Sequence, residues 1–158
     1  MDRFVPVPDE MEEQTLSQEV LYAHVTARSV QLCAAVASFG TLASIPFMKE
    51  PALPIVPRVL RNNFRAVTLG LFLGPFMTYG RMRGMDVVEW KDRSWRLLQN
   101  PGQNNVDIAL TAGSVVCGLA AVVGMKAPQA AAVRFLGGVG IGSFAGLGLL
   151  AFLPADKP

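Results

Sequence analysis

The chain is short of histidine, cysteine and charge, and each scarcity removes a class of function. His24 is the only histidine, so a three-histidine metal site or a His-dependent Ser or Cys triad would have to borrow residues from another chain. Cys33 and Cys117 lie far apart in apolar stretches and form neither a CxxC pair nor a secreted-type disulfide framework. Only 16% of the 158 residues are charged, where a soluble domain carries about 25%. The net charge is +2 with no run of five basic residues, so no nucleic-acid partner is expected. No span holds paired carboxylates and no polar stripe runs through two spans, which speaks against a pump or channel. The reading is a protein that is not an enzyme, with no metal, no cofactor and no small-molecule substrate of its own.

Apolar residues dominate instead: 51% of the chain is hydrophobic, and the mean hydropathy is +0.36. A 158-residue globule cannot hide that much apolar surface in one core, so the second solvent is a bilayer. Residues 29–48, 108–125 and 135–154 contain no Asp, Glu, Lys or Arg, and residues 66–80 add a shorter charge-free run. A membrane span needs about 20 residues, so the second run must extend into residues 59–65, with Arg61 and Arg65 reaching toward the interface. The expected fold is an all-α membrane protein with transmembrane helices near 25–47, 59–80, 105–125 and 130–153. Residues 1–24 form an acidic N-terminal arm and residues 154–158 a short tail.

Pro51, Pro54 and Pro57 make Lys49 to Arg58 a non-helical loop, and Met125 to Gln129 a tight turn, with Pro128 suited to opening the last helix. Two helical hairpins follow. Between them, residues 86–100 read as an amphipathic interfacial helix, with Asp86 and Glu89 in capping-box spacing and Pro101-Gly102 ending it. Val87, Trp90, Ser94, Leu97 and Leu98 share one side; Glu89, Asp92, Arg93, Arg96 and Gln99 share the other. Trp90 and Trp95 suit headgroup depth, and the polar face with Arg93 and Arg96 is a candidate docking surface for a partner. Four spans put the termini and the middle loop on one side, and the basic middle loop favours the cytoplasm or mitochondrial matrix. Residues 1–24 lack an apolar core after a basic start, so no secretory signal is expected, and their acidity is unlike a transit peptide.

Gly138, Gly142 and Gly146 recur every four residues and share one face of the last span. Gly113, Cys117 and Ala121 do the same in the third, and Gly70 and Gly74 lie in the second. Small residues at this spacing let helices approach closely in lipid, so the third and fourth spans are expected to pack through them. Gly74-Pro75 marks an expected kink. Asp107 is the only acid near a span interior and reads as a cap or ion-pair residue within reach of Arg93 or Arg96. Arg65 and Arg134, one to two turns inside their helices, are candidates for a lipid phosphate such as that of cardiolipin.

The layout as a whole, and above all the stretch from Glu89 to Asp107 (Glu-Trp-Lys-Asp-Arg-Ser-Trp-Arg-Leu-Leu-Gln-Asn-Pro-Gly-Gln-Asn-Asn-Val-Asp), resembles the NUXM family. These are small multi-span accessory subunits of mitochondrial complex I, the NADH:ubiquinone oxidoreductase. The resemblance takes in about residues 18–150 and rests on the Trp/Arg-rich segment followed by Gln103 and Asp107. It implies the inner mitochondrial membrane, contact with membrane-arm subunits and phospholipids, and no catalytic residue to carry over; in that membrane the charge bias would put both termini toward the matrix. The glycine-rich spans are also similar to the presequence and carrier translocase family of the same membrane, the alternative reading. That family places an arginine four residues before an aspartate and a glycine pair after it; here Gln103 precedes Asp107 and Ser114-Val115 stands where the pair belongs.

Overall fold

A computed structural model describes residue 5 and residues 7–47, 54–125 and 129–150, the last two by backbone alone. Among the described residues there are five α-helices and no strand: α1 Ser17–Ala43, α2 Ile55–Met82, α3 Val87–Leu98, α4 Pro101–Val123 and α5 Ala131–Leu150. Single 3-10 turns at Met11–Glu13 and Ile45–Phe47 flank α1. The C-terminal tail, Pro128 and Pro51 lie outside the described residues.

The expected segments are all helical, with shifted ends. α1 begins eight residues before the expected position 25, because the helix continues past the charge-free stretch through Glu19 and His24. α2 begins at Ile55, so Pro57 and Arg58 belong to the helix rather than to the proline loop. Pro57 sits in the first turn, where its missing N–H would have had no intrahelical partner. Pro101 likewise opens α4 instead of merely ending the helix before it: the Asn100 side chain accepts from the Gln103 amide at 3.1 Å and caps the new helix. The Asp86 side chain makes no capping bond to α3. α2 runs on through Pro75, where the buried Thr78 hydroxyl donates to the Gly74 carbonyl at 3.0 Å.

Three of these helices, Ser17–Ala43, Pro101–Val123 and Ala131–Gly148, are long and apolar enough to cross a membrane. α2 has 28 residues but is not among them, since Arg58, Arg61, Arg65 and Arg81, with Asn62 and Asn63, make it more polar. The interior of the bundle is built from small and polar residues, with Ala34, Leu60, Asn63 and Ser143 fully buried. Large apolar side chains point outward: Leu32, Phe39, Phe72, Phe76 and Val116 are all more than 60% exposed. That distribution inverts the usual soluble pattern.

Close approach sets the helix directions. A Cβ at Gly74 would meet Thr26, and one at Gly70 would lie 2.5 Å from the Val30 Cα, so α2 runs antiparallel against α1. Nearer the other end of this pair, Asn63 and Ser38 bond each other, Nδ2 donating to Oγ at 2.8 Å. Gly138 faces Cys117 and Ala121, Gly142 faces Gly113, and Gly146 faces Ala109, so α5 runs antiparallel against α4. Gly137 opposite Leu60 and Gly140 opposite Asn63 lay α5 parallel to α2. α1 and α4 therefore point one way, α2 and α5 the other.

Candidate functional site

α1 and α4 begin at the same end of the bundle, and they meet at Asp107 about two turns into α4. The carboxylate is 7% exposed, and its Oδ1 accepts from Arg28 Nη2 at 2.7 Å and from Gln103 Nε2 at 3.3 Å. Oδ2 faces His24 Nδ1 at 3.5 Å, and among the described residues neither of those two atoms has a hydrogen-bond partner. Gln103 lies one turn before Asp107 on α4, and His24 lies one turn before Arg28 on α1, so helical periodicity alone brings each pair onto one face. Arg28 also donates from Nη1 to Gln31 Oε1 at 2.8 Å, and Gln31 Nε2 reaches the Ser143 carbonyl at 3.5 Å. A polar thread thus runs from α4 through α1 to α5. A charge-assisted bond of this kind is strong where water is scarce, and it joins helices that are 79 residues apart in sequence. Beside it lies an apolar cavity of about 340 Å³ between the N-terminal arm, α1 and α4, with Val5, Val20 and Ile108 in its wall.

α3 closes the same end. Trp90 stacks on Tyr22 of α1 with ring centroids 5.9 Å apart, and Trp95 Nε1 donates to the Pro8 carbonyl at 3.0 Å. Lys91 donates to the Glu12 carbonyl, so the acidic arm is held through its backbone rather than its carboxylates. Ser94 and Leu98 are buried, and Asn104 of α4 donates to the Leu98 carbonyl at 2.6 Å. On the outer face Arg96 pairs with Asp92 at 2.8 Å, while among the described residues Glu89 and Arg93 form no ion pair. Val87, expected on the inner side, is 66% exposed. Arg93 lies beside Leu21, Met77 and Arg81. Neither Arg93 nor Arg96 reaches Asp107; the partners are Arg28, Gln103 and His24.

With that geometry in view, sequence comparison adds a family. A family profile matches residues 6–139, from the N-terminal arm into α5. The chain belongs to DUF1757, a family of proteins of unknown function. No curated protein matches it. In this DUF1757 chain the matched stretch contains the whole Asp107 cluster, α3 and Gly138, and stops short of Gly142 and Gly146.

The two arginine candidates differ in their surroundings. Arg134 of the DUF1757 chain donates from Nη1 to the carbonyls of Met125 and Val122, at 2.6 and 3.2 Å, and so caps the end of α4. Arg65 is exposed on α2 at the edge of a groove against α1. Gly113, Gly138, Gly142 and Gly146 meet along the α4–α5 contact, whereas Gly70 and Gly74 serve the separate α1–α2 contact. Sequence reasoning missed Arg28 and His24 as partners of Asp107. The available signal was depth: both helices start on one side, with His24 and Asp107 about two turns and Arg28 about three turns from those starts.

Proposed function

We propose that this DUF1757 chain is a non-catalytic accessory subunit of the membrane arm of mitochondrial complex I, supporting its assembly or stability through helix packing and lipid contact. In this reading α2 is a fourth span, α1–α2 and α4–α5 are membrane hairpins, α3 lies in the interface, and both termini face the matrix. The observation that carries it is the inverted polarity of the bundle. Its buried polar groups answer one another across helices, and its exposed surface is a belt of Leu, Val and Phe. Such a belt needs lipid or neighbouring membrane helices to cover it. The Trp/Arg-rich segment that resembles NUXM is the part of α3 that closes one end of the bundle. An accessory role also suits a buried carboxylate engaged by Arg28 and Gln103 rather than left open for chemistry.

The test is native electrophoresis of mitochondria solubilised in mild detergent, followed by mass spectrometry of the band that holds this chain. Comigration with NADH dehydrogenase activity at the size of complex I is the expected result. Migration with presequence or carrier import components would replace the proposal by the translocase reading.

A further inference from the structure

The groove between the end of α1 and the start of α2 has a volume of about 600 Å³ and is amphipathic along its length. Thr41, Ser44 and Asn62 line one half and Leu32 and Leu69 the other, with Arg65 and Val36 level with each other between them. The two helices are antiparallel, so the polar half falls where α1 ends at Ala43 and the apolar half falls about three turns deeper. Arg65 is exposed and has no hydrogen-bond or ion-pair partner among the described residues. Among the described residues no Asp or Glu lines the groove. Arg61, one turn nearer the helix start and on the same face, is likewise exposed and without a partner. The neighbouring polar side chains are already engaged: Asn62 donates to Thr41 Oγ1 at 2.8 Å, and Thr41 donates to the Ala37 carbonyl at 2.6 Å. A cation without a counter-charge among the described residues, beside an apolar groove, is complementary to an anion that carries a hydrocarbon chain.

We infer that this groove binds an anionic phospholipid, its phosphate held by Arg65 with Arg61 beside it and one acyl chain lying along Leu32, Val36 and Leu69. The guanidinium fork matches two phosphate oxygens, which an ammonium does not. The site rests on α2 lying in the bilayer as proposed above, and not on which complex holds the chain. Arg134, the other candidate for a lipid phosphate, is excluded because its guanidinium caps α4.

The experiment uses the full chain, extracted from membranes in mild detergent and examined by native mass spectrometry with added phosphatidylglycerol, phosphatidylcholine or inorganic phosphate. The expected result is selective retention of phosphatidylglycerol, reduced about fivefold in Arg65→Gln, as expected for one basic side chain at an anionic surface. Arg65→Lys should be intermediate. Arg81→Gln, at the far end of the same helix, should match the unaltered chain. Equal retention of both lipids, or equal losses in Arg65→Gln and Arg81→Gln, would overturn the site. Inorganic phosphate binding as tightly as the lipid would make it a simple ion site and overturn the lipid assignment. Flotation with phosphatidylglycerol and phosphatidylcholine vesicles separates the two levels. A chain that floats with neither would remove the membrane placement, and the site with it; one that floats but shows no lipid selectivity removes only the site.

Discussion

Asp107 is the residue on which the closed end of the bundle depends, because its partners come from two helices and one of them is charged. Asp107→Asn keeps the shape and leaves Arg28 without its counter-charge. The expected loss is about 2–3 kcal/mol, below the larger cost of breaking a fully buried pair because Arg28 is a quarter exposed. Thermal unfolding of the detergent-solubilised chain measures it, and adding Arg28→Gln should cost much less than the sum of the two single changes. Strict additivity would show that the two side chains act independently. Nothing in the spacing of the sequence pointed to this pair. Arg93 and Arg96 are near Asp107 along the chain, but they sit on the outer face and at the flank of α3; proximity along the chain says little about which helices adjoin.

At the scale of elements, the glycines of α4 and α5 serve close approach rather than turn geometry. Gly142→Leu would drive a side chain into the Gly113 backbone, costing at least about 1–3 kcal/mol and lowering the amount of chain incorporated into its complex. Gly148 has open space around its Cβ position, so Gly148→Ala should change stability by less than about 0.5 kcal/mol in the same assay. This pairing was legible in the sequence because it needs only a period of four and two helices of matching length. The helix starts were less legible. Proline reads equally well as the end of one helix or the first turn of the next, and at Pro57 and Pro101 the second applies. α3 was legible as an amphipathic helix, but not its grip on the arm, which runs through the backbone carbonyls of Pro8 and Glu12. Trp95→Phe removes the indole N–H and should weaken that hold by about 1 kcal/mol. Faster proteolytic cleavage between residues 5 and 16 would report it, and an unchanged rate would mean that the bond does not retain the arm.

For the molecule as a whole, the helix directions make a testable map of sides. In a chain with Cys33 and Cys117 replaced by Ala, cysteines introduced at Thr15 and Gln99 should react with an impermeant maleimide from one side of the membrane. Cysteines at Ile55 and Ala130 should react from the other. Labelling of all four from one side would remove the membrane placement of α1, α2 and α4. Of the four spans that hydropathy suggests, α2 is the one it describes least well, since its arginines hide a helix as long as α1. α2 also has neighbours on two sides, α1 through Gly70 and Gly74, and α5 through Gly137 and Gly140. Synthesis proceeds from the N-terminus, so when α2 leaves the ribosome only one of those walls exists. Its second face, with Leu60 and Asn63, waits until the last helix has been made. The most polar of the long helices therefore stays open on one face until the last helix is made, and a chain cut short before residue 131 would expose it to quality control in the membrane.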